Sequence, residues 1–130
     1  MSPELRIGDD AAWVALAHDP GSAEGWRVTA DWDDVFSAGF GAYLDPDEVA
    51  AFTDALWNRV IDGGSFRLVV TEARSNPLTL QSVPAGDGLA FLVRLTPNGH
   101  DAVVHLDLEI GPADRVELAG RIEEFRRSLV

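Results

Sequence analysis

The sequence predicts an α+β domain: an antiparallel sheet of about eight strands, in the order ββββα–ββββα, with two amphipathic helices packed on one face. Three observations carry this. Apolar residues alternate with polar ones in short runs, the period of a half-buried strand. Two longer stretches switch to helical spacing, each behind a proline-marked start. Turn residues fall between the runs, Gly86-Asp87 and Asn98-Gly99 among them, where hairpins need them.

Taken in order, Leu5-Arg6-Ile7 and Trp13-Val14-Ala15-Leu16 read as two short strands broken at Gly8-Asp9-Asp10. His18 to Gly25 is rich in Pro, Gly and Ser and reads as a loop. Trp26, Val28, Ala30 and Trp32 then alternate with Arg27, Thr29, Asp31 and Asp33, which makes a strand with Trp26 and Trp32 in the core. Phe36, Ala38, Phe40, Ala42 and Leu44 form the inward row of the next strand. Both rows sit on even numbers, so an odd loop, Asp33-Asp34-Val35, keeps them on one face. That loop sets Trp32 opposite Phe36, Ala30 opposite Ala38, Val28 opposite Phe40 and Trp26 opposite Ala42.

Asp45-Pro46-Asp47-Glu48 is a helix start, with Asp as N-cap, Pro at N1 and Glu at N3. Val49, Phe52, Leu56 and Val60 follow at helical spacing, and Gly63-Gly64 ends the helix. The second half repeats the plan. Phe66, Leu68 and Val70 make a strand, Arg74-Ser75-Asn76-Pro77 a loop, and Leu78 and Leu80 resume the inward row. Gly86-Asp87 suits a type II′ turn and would pair Leu80 with Val93 and Ser82 with Phe91. Asn98-Gly99 is the clearest turn signal, and it would pair Leu95 with Ala102, Val93 with Val104, Phe91 with Leu106 and Leu89 with Leu108. Gly111-Pro112 would open a last helix with Leu118, Ile122, Phe125 and Leu129 on one stripe, and Arg126 and Arg127 near its C-terminus. Leu44 to Val49 and Ile110 to Val116 open the two helices in similar style, as an internal duplication would. No linker divides residues 1–130, so a single domain is expected.

Composition excludes several function classes. The chain has no cysteine, which removes disulfides, thiolate metal sites and a Cys nucleophile. All ten basic residues are Arg, so neither Schiff-base chemistry nor a P-loop lysine is available. The formal net charge is −12, which repels phosphate backbones and anionic membranes and steers a basic partner instead. The plainer alternative is that the charge only keeps the protein soluble. Met1 to Arg6 lacks the pattern of a secretory signal, and no apolar run could span a bilayer, so a cytoplasmic location is expected.

No motif amounts to a catalytic signature. His105, Asp107 and Glu109 form one outward row of the final strand and could converge on a divalent ion. Such a row is more often a solvated strand face, and its members sit about 7 Å apart, too far to share one metal comfortably. His18 and His100 fall in loops and are expected to be exposed. There is no G-x-S-x-G turn, and Gly39-Phe40-Gly41 lies inside a strand, where small residues mark a bulge or a place of close packing. With 22 carboxylates in the chain, any chosen acid pair is what chance supplies. Among four tryptophans, Trp13 opens a strand and Trp57 flanks the apolar stripe of the first helix, where it would either widen the core or anchor a protein partner.

Leu5-Arg6-Ile7-Gly8-Asp9-Asp10, the Trp-containing strands, Ala42 to Glu48 (Ala-Tyr-Leu-Asp-Pro-Asp-Glu) and Phe52 to Leu56 (Phe-Thr-Asp-Ala-Leu) together resemble a group of small, mostly uncharacterised actinobacterial proteins, related to immunity proteins of polymorphic or contact-dependent toxin systems. The similarity spans most of the chain and brings no catalytic residues with it. It implies a non-enzymatic protein without a cofactor that neutralises a cognate toxin, often a basic nuclease. Asp31, Asp33, Asp34, Asp107 and Glu109, with Trp57, are then the expected partner-binding residues. Two alternatives come from other classes: a structural or regulatory module that homodimerises through an edge strand, and a small metal-dependent hydrolase.

Overall fold

Each half of the chain folds as a four-stranded antiparallel meander followed by a helix. The computed structural model describes residues 3–21, 25–72, 76–97 and 105–129. The first half runs β1 (Glu4–Gly8), β2 (Ala12–His18), β3 (Gly25–Trp32), β4 (Phe36–Tyr43) and α1 (Pro46–Asp62). The second runs β5 (Arg67–Val69), β6 (Leu78–Ala85), β7 (Gly88–Leu95), β8 (Leu106–Asp114) and α2 (Arg115–Ser128). The α+β class and the ββββα–ββββα order are those predicted, with the eight strands shared between two sheets, ordered β1-β2-β3-β4 and β5-β6-β7-β8.

Two of the three predicted registers are the observed ones. Trp32 pairs with Phe36, Ala30 with Ala38, Val28 with Phe40 and Trp26 with Ala42. Leu80 pairs with Val93 and Ser82 with Phe91 across the Gly86-Asp87 turn. Gly86 has φ +59° and Asp87 is not among the positive-φ residues, as type II′ requires.

The β7–β8 register is corrected. Leu95 pairs with Leu106, Val93 with Leu108 and Phe91 with Ile110, four residues along from the expected partners. Asn98-Gly99 and the expected partners Ala102 and Val104 lie outside the described residues. A slip of four is even, so the inward row stays inward and hydrophobic parity alone cannot detect it. The gain is Ile110, fully buried opposite Phe91. The start of α2 moves with the register. Gly111-Pro112 lies within β8 beside a bulge, and Gly111 has φ +85°, outside the helical region. The N-cap is Asp114, whose carboxylate accepts the Glu117 N–H at 2.9 Å.

Two further corrections concern side chains. Trp32 is 40% exposed, not core, although Ala30 on the same row is 2% exposed. Trp32 is the last residue of β3, at the hairpin tip, where parity still gives the side chain's direction but burial is incomplete. His18 ends β2 instead of lying in a loop, half-buried with its ring edge-to-face on Trp26 at 5.1 Å.

The core is one cluster drawn from both halves. Val49, Phe52, Leu56 and Val60 of α1 are at most 4% exposed, and each such side chain stabilises the fold by about 1.5–3 kcal/mol relative to exposure. The helix is fixed as its sequence predicts. The Asp45 N–H donates to Glu48 Oε1 at 2.9 Å, and Gly63 closes the C-terminus with φ +77°. Helices α1 and α2 pack together, and α2 also packs on β1 and β8. Trp26 meets Phe125 edge-to-face at 6.4 Å, which ties the first sheet to α2. Strand β8 lies against β1 and β2, so the sheets adjoin. Among the described residues no helix is long and apolar enough to cross a membrane.

Candidate partner-binding surface

In a meander, alternate turns fall at the same end of the sheet. The β2–β3 pairing sets Ala12 opposite Trp32 and Trp13 opposite Asp31, so the β1–β2 turn lies beside the β3–β4 tip. The Asp33 N–H donates to the Ala11 carbonyl at 2.6 Å and joins the two. Asp9, Asp10, Asp31, Asp33 and Asp34 therefore share one end of the first sheet.

Each turn is held by its own acids. Gly8 turns the chain with φ +122°, and the Asp9 carboxylate accepts the N–H groups of Ala11 and Ala12 at 2.9 and 2.8 Å. At the other tip Asp33 and Asp34 both sit in the left-handed region, with φ +53° and +57°. Asp tolerates that conformation better than most residues. The Val35 N–H donates to the Trp32 carbonyl at 3.0 Å, and the Asp34 N–H to Asp31 Oδ1 at 3.2 Å. Two side chains add apolar area: Val35, 76% exposed, and Trp32. Among the described residues the guanidinium paired here is that of Arg6, 3.9 Å from Asp10 and stacked over the Trp13 ring at 4.3 Å. The surface is thus strongly negative, fixed in backbone shape and edged with apolar groups.

The remaining predicted residues lie elsewhere. Asp107 and Glu109 are exposed on the outer face of β8, in the second sheet. Asp107 meets Arg94 of β7 through paired bonds, Nε to Oδ1 at 2.9 Å and Nη2 to Oδ2 at 3.1 Å. Those hydrogen bonds hold the Asp107 carboxyl below the usual carboxylate range. With Arg67, Gln81 and Leu92 the pair lines a shallow depression of about 440 Å³, and Leu92 is 46% exposed. Glu109 stands opposite Leu92. Trp57 is half-buried against the core on α1, with the Arg126 guanidinium of α2 over its ring at 5.3 Å. Arg126 also pairs with Asp54 at 2.9 Å, so Trp57 belongs to the α1–α2 seam.

The structure groups Asp31, Asp33 and Asp34 with Asp9 and Asp10, which in the sequence mark a break between two strands. The signal was present: the first two hairpin turns that share an end of a meander are separated by one strand pair, and both are Asp-Asp. Among the described residues no three His, Cys, Asp or Glu side chains are arranged to hold a metal ion. On the His105-Asp107-Glu109 row, Asp107 is committed to Arg94. Gly39, where close packing was expected, has the Arg27 guanidinium across it, and the β3–β4 pairing carries no bulge. Comparison with known proteins finds no matching family model, no similar curated protein and no similar solved structure.

Proposed function

We propose that this chain is a non-enzymatic binding protein that holds a basic protein partner against the acidic end of its first sheet, most concretely as an immunity protein that neutralises a cognate bacterial toxin in the cytoplasm. The observation that carries the reading is the joining of two Asp-rich turns by the Asp33–Ala11 hydrogen bond. It gathers five carboxylates at one sheet end with Trp32 and Val35 exposed beside them. A net charge of −12 adds long-range attraction for a cationic surface. A rigid acidic face needs no cofactor to block a basic one, and the toxin assignment follows the resemblance of the sequence to immunity proteins.

The test takes as partner the product of whichever neighbouring reading frame arrests growth when expressed alone. Co-expression is expected to rescue growth. Affinity is expected to fall steeply between about 50 and 300 mM NaCl, as screening shortens to a few ångströms. Asp31→Asn with Asp33→Asn is expected to weaken binding by about tenfold or more. Salt-independent affinity, or unchanged affinity in the double variant, overturns the proposal.

A further inference from the structure

Among the described residues strand β4 is an edge of the first sheet: it pairs with β3, and only β3 packs closely along it. Edge strands are ordinarily blunted by charge, proline, a bulge or short length. Phe36-Ser37-Ala38-Gly39-Phe40-Gly41-Ala42-Tyr43 has none of these. It carries no charged residue and no proline, it runs the full eight residues, and it pairs with β3 without a register shift. Alternate N–H and C=O groups along it face away from β3.

Its side chains are also incompletely covered. Val28 and Ala30 on β3 are at most 2% exposed, whereas their partners Phe40 and Ala38 on β4 are only half-buried. Phe36 is half-buried and Tyr43 is 65% exposed. The opposite face is built from Ser37, Gly39 and Gly41, with the Arg27 side chain reaching across from β3 over Gly39. Acids flank the strip at both ends: Asp31, Asp33 and Asp34 at the tip, and Asp45 and Asp47 where the chain leaves for α1.

We infer that β4 receives an extended segment of a basic partner as a ninth strand, with β-branched side chains against Phe36 and Phe40 and cations at its ends against the two acid groups. This rests on the reading above that the partner is basic, and adds how it docks. Charge selects the occupant. A second copy laid antiparallel on β4 would bring Asp33 and Asp34 beside the copy's Asp45 and Asp47, between chains of net charge −12 each. A cationic strand of about eight residues spans roughly 27 Å and reaches both acid groups at once.

The probe is a synthetic peptide of about ten residues, alternating valine and threonine with arginines at both ends, titrated onto the intact chain. Companions are the same peptide ended by glutamates, and two versions N-methylated at odd or at even amides. The expected result is binding of the arginine-ended peptide, weakened about tenfold or more by one N-methyl parity and little by the other. Alternate amides of β4 should gain hydrogen-exchange protection in the same titration. No binding at about 1 mM peptide, indifference to N-methyl parity, or equal binding of the glutamate-ended peptide overturns the inference. So does a free chain that sediments as a dimer with those amides already protected. The toxin-binding test on Asp31 and Asp33 stands apart: charge-dependent binding there, with no parity effect here, leaves the basic partner in place and removes strand addition.

Discussion

The Asp33 backbone N–H and the Ala11 carbonyl meet at 2.6 Å, so two hairpin turns that are distant in sequence are joined by a backbone hydrogen bond. The bond spends a backbone donor at a tip where five carboxylates repel one another. Exposed like charges within a Debye length, about 8 Å at physiological salt, destabilise the surface they share. A fold selected only for stability has no use for that arrangement, whereas a surface that meets a cationic partner has its repulsion relieved on binding.

The left-handed residues at the β3–β4 tip sharpen the point. Asp33 and Asp34 hold φ values that glycine adopts without steric cost. Asp33→Gly with Asp34→Gly is expected to leave stability unchanged or raise it by up to about 1 kcal/mol, as relief of strain and repulsion offsets the entropy of a freer unfolded chain. Partner affinity is expected to fall in the same variant. Urea midpoints and titration of the toxin measure both. A clear loss of stability would mean that the two acids are structural.

Gly8 positions the neighbouring turn. Its φ is +122°, and a Cβ there would collide with the Ala12 carbonyl and stand 2.8 Å from the Trp13 Cα. Both obstacles are backbone and cannot swing aside. Gly8→Ala is expected to cost about 2 kcal/mol or more and to displace Asp9 and Asp10 from the β3–β4 tip. Thermal melting checks the first effect. Loss of exchange protection at the Asp33 amide checks the second, since that amide is held by Ala11 in the displaced turn.

The parts of this fold that the sequence discloses are those where two constraints coincide. For β3–β4, row parity and a three-residue loop agree, and the register Trp32–Phe36 follows. For β6–β7, Gly86-Asp87 leaves one two-residue turn. For β7–β8 only parity remained, because Asn98-Gly99 suggested a turn by composition while a slip of four leaves every inward residue inward. Pro112 drew the helix start forward for the same local reason, although Asp114 three residues before Glu117 was an equally legible cap. The acidic end was half legible: Asp31, Asp33 and Asp34 stand out along one strand, but their union with Asp9 and Asp10 depends on the meander's spatial order. Trp32 escaped because parity gives a side chain's direction, and not where the core stops.

The Arg94–Asp107 pair gives a pH dependence of known sign. Hydrogen bonds from Arg94 lower the Asp107 carboxyl below its ordinary value of 3.8 in the folded state. Its contribution is therefore present above that value and is lost as pH falls through the lower folded one. Both side chains are more than a third exposed, so solvent screening limits the pair to about 0.5 kcal/mol or less. Asp107→Asn is expected to lower the urea midpoint slightly at pH 7, with the difference from the parent shrinking as pH falls below 3.8. A difference that persists in acid would assign the loss to packing around Leu92 instead of charge.

Ile110 and Leu106 decide the β7–β8 register in solution. With Phe91 opposite Ile110, Ile110 is fully buried while Leu106, opposite Leu95 near the strand's start, is only half-buried. Ile110→Ala is then expected to cost about 2–5 kcal/mol, the range for a large cavity deep in a core, and Leu106→Ala distinctly less because water reaches part of the site. The register drawn from Asn98-Gly99 sets Leu106 opposite Phe91 and leaves Ile110 at a helix entrance, so it reverses the order of the two costs. Equilibrium urea unfolding of the two variants reads that order directly. A larger loss for Leu106→Ala would return the strand to the slipped pairing and move Asp107 away from Arg94, removing the acid-linked stability with it.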